Sequence, residues 1–273
     1  MKTLNFLFNS YINSSLHVAF AVCALVGVTC LEFDVNLSFN LLGFVFFGTI
    51  VGYNFVKFAA IYKKRFAELF LHLKVVQIFS VLALFYFSMQ LTGIIIVVFG
   101  GFALLTFLYA IPLLKFKNLR NITGLKIIIV AIVWAGVTVL IPLLNENVML
   151  DMDFWITYVQ RFLFVFVLTL PFEIRDLQFD DLTLETLPQR VGVKKAKVIG
   201  ALMLVFMILI ELFKDSINKY YIMSLIIVTV VLILFLWNSE KKQSSYFSSF
   251  WVESIPILWF GILRLSQFYF EIS

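Results

Sequence analysis

Charge is scarce in this chain of 273 residues: Asp, Glu, Lys and Arg together make up 14 %. An ordinary soluble domain is about a quarter charged and roughly half apolar. With 62 % apolar residues and a mean hydropathy of +1.02, the chain has too little polar surface to cover a soluble globule. A soluble enzyme, a disordered chain and a nucleic-acid-binding module are thereby excluded. The net charge of +5 does not restore nucleic acid as a partner, because the basic residues flank apolar runs. Cysteine is nearly absent, and Cys23 and Cys30 stand on one face of a single apolar run. At about 1.5 Å rise per residue they are too distant to bridge within one helix, so we read them as small apolar residues with no disulfide partner. His17 and His72 have no His or Cys at ligand spacing, and we assign them no catalytic role. No Gly-rich phosphate loop, Walker motif or nucleophile elbow is present. The long runs also lack the strand alternation of a membrane barrel.

What the chain has in quantity is apolar length. A membrane helix needs about 20 mostly apolar residues. Nine such stretches are expected, at 15–31, 40–62, 71–89, 92–113, 125–144, 154–173, 196–213, 220–237 and 249–270. They leave only short connections, so residues 1–273 are read as one transmembrane domain of an all-α, polytopic membrane protein. The 33 Phe residues suit a lipid-facing surface.

The basic residues orient this bundle. Lys2, then Lys57, Lys63, Lys64, Arg65 and Lys74, then Lys115, Lys117, Arg120 and Lys126 fall on one side of the alternation. Arg175, Arg190, Lys194, Lys195, Lys197, Lys241 and Lys242 join them there. The other side has only Lys214 and Lys219, with Glu32, Asp34, Glu146, Asp151 and Asp153. The positive-inside bias then predicts a cytoplasmic N-terminus and an external C-terminus, in the inner or plasma membrane of a bacterium. No A-x-A site follows the first apolar run, which begins near Leu16, so no signal peptide is read. Residues 4–12 are read either as an interfacial helix through Leu4, Phe8 and Tyr11 or as a frayed end.

Charges that remain near or within apolar spans need a reason. The richest cluster ends the sixth span, where Glu173, Asp176 and Asp180 fall at i, i+3 and i+7. On a continuing helix this spacing places three carboxylates on one stripe. Their repulsion calls for a cation: a hard metal such as Mg²⁺, which favours oxygen ligands, or a basic side chain. A solvated helix end is the plain alternative. Arg175 and Asp181 lie off the stripe. A second cluster ends the second span, where Asn54 and Lys57 share a face one turn apart. Lys57 is read in three ways: snorkelling to the interface, binding a phosphate, or pairing with Glu173 or Asp176. A third set, Arg161, Glu211 and Arg264, lies towards the opposite end and is expected to pair inside the bundle or to mark a solute path.

The segment Ile174-Arg-Asp-Leu-Gln-Phe-Asp180, with Thr186-Leu-Pro-Gln-Arg-Val-Gly192 and a basic helix start at Lys194, resembles the second signature of the UbiA superfamily of intramembrane prenyltransferases. The span-ending Tyr109-Ala-Ile-Pro-Leu-Leu-Lys115-Phe-Lys117 is similar to that family's Tyr/Pro/Lys turn. The resemblance implies a nine-helix UbiA-like bundle that transfers a prenyl chain from a prenyl diphosphate to a lipophilic, quinone-type aromatic acceptor. It implies Asp176 and Asp180 as Mg²⁺ ligands, Asn54, Lys57 and Arg190 as diphosphate-binding residues, and support from Glu173, Tyr109, Lys115 and Lys117. The family's first acidic signature is broken: Asn54 matches, but Phe55, Phe58 and Tyr62 stand where acids belong. At most half of a magnesium cage is left. A catalytically inactive relative that binds a lipid or a partner protein is the competing reading. A small-solute transporter ranks below both, because no pair of broken spans lies in matching halves.

Overall fold

The computed structural model describes residues 2–62, 71–110, 124–179 and 185–271. Among them the only regular structure is helical, as the unbroken apolar runs demand: in lipid each backbone polar group must be satisfied within its own segment. Helices α1 (Lys2–Asn13) and α2 (Leu16–Glu32) are followed by α3 (Phe39–Tyr62), α4 (Leu71–Ser88) and α5 (Gly93–Ala110). Next come α6 (Leu125–Ala135), a π-helical turn (Gly136–Leu140), α7 (Ile141–Asn145) and α8 (Met152–Asp176). The short α9 (Leu187–Val191), α10 (Val193–Ile210), α11 (Lys219–Asn238) and α12 (Ile255–Glu271) complete the order.

The helices close into a ring. Helix α3 packs on α2 and α5, α5 on α6, α6 on α8, α8 on α10, α10 on α11 and α11 on α12, which returns to α2. Helix α4 lies against α3 and presents Ile78, Phe79, Leu82 and Phe85 outward, a lipid-facing stripe. Each expected apolar stretch falls on helix among the described residues. Among the described residues, and by length and apolarity alone, five helices are able to cross a membrane, and the bent pair α1–α2 makes a sixth. Two further apolar helices, Leu73–Ser88 and Gly93–Leu108, are shorter.

Local chemistry explains the element ends. The Asp151 carboxylate caps α8 by accepting from the Phe154 N–H at 3.1 Å, as an N-cap acid should. The Thr186 N–H donates to the Gln189 side chain at 2.8 Å, and Pro188 stands in the first turn of α9, where its missing N–H costs nothing. Gly192, at φ +81° and ψ 154°, then turns the chain into α10 through a conformation open almost only to glycine. The Thr-Leu-Pro…Gly tail is thus a helix-turn-helix corner. Helix α1 does form at residues 4–12, bent 57° from α2. Its Phe8 ring packs edge-on against Tyr246 and Phe250, both at 5.0 Å. Cys23 and Cys30 are free thiols. His17 is a strut, its Nε2 3.0 Å from the Phe250 carbonyl and its Nδ1 2.9 Å from the Tyr11 hydroxyl.

The third charged set resolves into a closed network at the end of the bundle where α2 stops. Lys214 pairs with Glu32 and, at 2.8 Å, with Glu211. Gln160 Nε2 donates to Glu211 at 2.9 Å, and Thr157 donates to Glu32 at 2.7 Å. Arg161 is fully buried and donates to the Leu25 carbonyl at 2.8 Å, with its guanidinium 5.0 Å from the Trp259 ring centre. The expected common pairing is therefore redistributed: the cation on Glu211 is Lys214, Arg161 meets neutral acceptors, and Arg264 points outward, exposed.

Candidate functional site

A cavity of about 810 Å³ opens inside the ring, walled by α2, α3, α5, α6 and α8. The chemistry of its wall follows from helix position. Lys57 near the end of α3, Lys126 in the first turn of α6, and Glu173 and Asp176 at the end of α8 reach the same end of the bundle. Elsewhere the lining is Val22 of α2, Phe99 and Phe102 of α5, Trp134 of α6 and Val137 of the π-helical turn. Eleven residues of helix separate Lys126 from Val137, or about 16 Å of depth. The cavity is therefore amphipathic, with a charged rim over an aromatic chamber, and its volume is within the usual range for small-molecule sites.

Among the described residues, rim charges of opposite sign meet. Lys126 Nζ lies 2.8 Å from Glu173 and 3.6 Å from Asp176. The Arg175 guanidinium lies 2.8 Å from Asp176 and over the Phe172 ring at 5.3 Å. The cation demanded by the carboxylate stripe is a basic side chain, Lys126. Pairing of Lys57 with Glu173 or Asp176 is not what forms. Lys57 is exposed and donates instead to the Asn13 carbonyl at 3.2 Å. The reason is geometric: α6 packs directly on α8, so its lysine reaches the α8 carboxylates first. Helix α8 ends at Asp176, so only Glu173 and Asp176 share the stripe among the described residues. Glu253, between a second π-helical turn (Phe247–Val252) and α12, lines the cavity within the electrostatic reach of Lys57 and Arg175. Lys57, Lys126 and Arg175 thus line the same end of the cavity as Glu173, Asp176 and Glu253.

Asn54 is buried behind the wall. Its carbonyl accepts from the Ser15 hydroxyl at 2.8 Å, and its amide donates to the Ser14 carbonyl at 3.3 Å and to the Gln77 side chain at 3.1 Å. These bonds tie the α1–α2 bend to α3 and α4, so Asn54 positions the wall. Phe55, at the first missing acid, lines the cavity and stacks on Phe107 at 5.6 Å. Arg190 is exposed on α9, 3.9 Å from Glu185, and is not part of the cavity lining. Asp180, Lys115 and Lys117 lie outside the described residues, as do the side chains of Tyr109, Phe58 and Tyr62.

Two rim residues went unrecognised in the sequence. Lys126 looked like one more loop charge, although it begins an apolar span. Glu253 lies inside the last apolar stretch, and its charge there was the available signal. The donor set also bears on magnesium. Mg²⁺ is held by oxygen ligands in octahedral array. Among the described residues no group of three or more His, Cys, Asp or Glu is arranged to hold a metal, and both α8 carboxylates already meet cations. The described residues do not fit a two-metal cage.

No family model matches the sequence, and no curated protein matches it. The fold does have solved counterparts. A digeranylgeranylglyceryl phosphate synthase is 15 % identical with a TM-score of 0.57, over 97 % of each chain. A UbiA homologue from Archaeoglobus fulgidus bound to Cd²⁺ is 13 % identical with a TM-score of 0.61, over 92 % of this chain and 97 % of that one. The A. fulgidus homologue bound to GPP and Mg²⁺ is 11 % identical with a TM-score of 0.57, over 94 % and 98 %. The chain is an integral membrane protein with the fold of UbiA-type membrane prenyltransferases.

Proposed function

We propose that this protein binds a prenyl diphosphate in its cavity and transfers the prenyl chain to a lipophilic, quinone-type aromatic acceptor. The observation that carries the reading is the aromatic-lined cavity beneath a rim holding Glu173 and Asp176 together with three cations. The reading treats residues 1–273 as one transmembrane domain. The distribution of Lys and Arg supports a cytosolic rim and a bacterial plasma membrane.

In the proposed reaction the bond from the prenyl C1 to the bridging diphosphate oxygen breaks, and its electron pair leaves with the diphosphate. A ring carbon of the acceptor bonds to C1, and the ring proton passes to the released diphosphate. Lys57, Lys126 and Arg175 would hold the leaving charge, which develops most strongly in the transition state. Phe99, Phe102, Phe107 and Trp134 would face the allylic cation, whose attraction to a ring face grows as water is excluded. Asn54 holds the wall in register.

The catalytically inactive reading has its own support in the Lys126 bridge, because carboxylates already neutralised leave less for chemistry to use. Incubating membranes holding the protein with radiolabelled geranyl diphosphate and a set of aromatic acceptors separates the two. Labelled lipid product, lost in Lys57→Met, supports transfer. Binding of geranyl diphosphate with no product from any acceptor selects the inactive relative.

A further inference from the structure

The cavity's charge arrangement carries a sharper statement about head-group recognition, which rests on the reading that the ligand is a prenyl diphosphate. We propose that the diphosphate is bound without a divalent metal, and that Lys126 serves as the exchangeable cation, leaving Glu173 and Asp176 for phosphate oxygens.

Three observations converge on this. First, α3 offers no acid towards the rim at its first signature position, since Phe55 is stacked on Phe107. Second, the two α8 carboxylates are engaged by Lys126 at 2.8 and 3.6 Å and by Arg175 at 2.8 Å. A doubly charged metal placed on them would sit against two cations. Third, the bridge borders the cavity. Lys126 and Asp176 are 19 % and 24 % exposed at the side chain, and Lys57, which lines the same cavity, donates to the Asn13 carbonyl. Lys126 also stands in the first turn of α6, where peptide N–H groups favour an approaching anion. The ligand's charge would thus be met by Lys57, Lys126 and Arg175, while Glu173 and Asp176 act as the internal competitors that the ligand displaces.

The competition makes the test specific. Geranyl diphosphate binding is measured by calorimetry on the full chain in lipid nanodiscs, once with EDTA and once with millimolar Mg²⁺. The wild type is expected to bind equally in both. Glu173→Gln releases Lys126 from its stronger carboxylate and is expected to bind more tightly in EDTA. Lys126→Met is expected to lose at least about tenfold in EDTA, the loss of a charge-assisted contact, and to recover part of it in Mg²⁺ because Glu173 and Asp176 then lack the Lys126 ammonium. A purely structural Lys126 would not alter the response to EDTA. Should Lys126→Met fail to fold, Glu173→Gln decides alone: weaker binding overturns the inference. Wild-type binding seen only with Mg²⁺ overturns it too and leaves the prenyl diphosphate reading standing. No binding in either buffer overturns both.

Discussion

The molecule builds the same ionic motif twice, one lysine between two carboxylates, and gives it opposite surroundings. At the end where α2 stops, Lys214, Glu32 and Glu211 have side chains 2 %, 5 % and 2 % exposed. At the cavity rim, Lys126 and Asp176 are 19 % and 24 % exposed, with only Glu173 as low as 4 %. Further donors, Gln160 and Thr157, reach the carboxylates of the first triad. The second borders a cavity of about 810 Å³. The difference lies in what can replace the lysine. A triad buried away from any cavity acts as structure; one that borders a cavity can trade partners with a ligand.

The contrast can be broken most forcefully at Lys214. Lys214→Met would leave two buried carboxylates without their cation, and breaking such a pair costs about 3–5 kcal/mol. Thermal unfolding in detergent reads this directly, and an unchanged midpoint would remove the distinction between the triads. Asn54→Leu comes next. It strips the bonds that tie Ser14, Ser15 and Gln77 to α3 and strands buried polar groups, a loss of about 1–3 kcal/mol each before relaxation. The same unfolding measurement checks it, and retained stability would mean that the α1–α2 bend is held by other contacts.

Gly136→Ala sharpens the comparison from the cavity side. A Cβ there would meet Phe102 Cζ at 1.9 Å, so the Phe102 ring must move, and Phe102 lines the chamber. Overpacking of this kind costs about 1–3 kcal/mol, and we expect weaker geranyl diphosphate binding by calorimetry. Binding equal to wild type would show that the chamber accommodates the displaced ring. Lys57→Met should have the smallest effect on stability, within about 0.5 kcal/mol for an exposed side chain, while weakening ligand binding. A large drop in melting temperature would place Lys57 among the structural cations with Lys214.

The helices were legible in the sequence because apolar length is a property of one segment. The stretch 154–173 became Met152–Asp176 and 220–237 became Lys219–Asn238, differing mainly where capping residues extend the ends. The Thr186–Gly192 stretch was read only as part of a family signature, although the cap, proline and glycine that make it a corner act within a few residues. Pairings were another matter. That Lys126 rather than Lys57 meets Glu173 depends on which helix faces α8 and at what rotation, and no local pattern encodes that. Asn54 was matched by spacing to a ligand position, yet its side chain faces Ser14 and Ser15. Arg161 and Glu211 stand at similar depth, but Lys214, just beyond the end of α10, reaches the carboxylate.

The Lys214–Glu32 pair joins residues 182 positions apart, and this fixes an order of assembly. Glu32 leaves the ribosome long before its counter-charge is made. The helix synthesised near the start must therefore hold an unneutralised acid at its end until the tenth helix has been inserted and the chain has turned past it. Helix α2 also packs on α12, and Gln267 donates to the Leu31 carbonyl at 3.1 Å. The bundle is thus closed by a late docking event, and a chain cut short before residue 214 would be left with an open seam and an orphaned carboxylate, a form that quality-control proteases can distinguish from the finished protein.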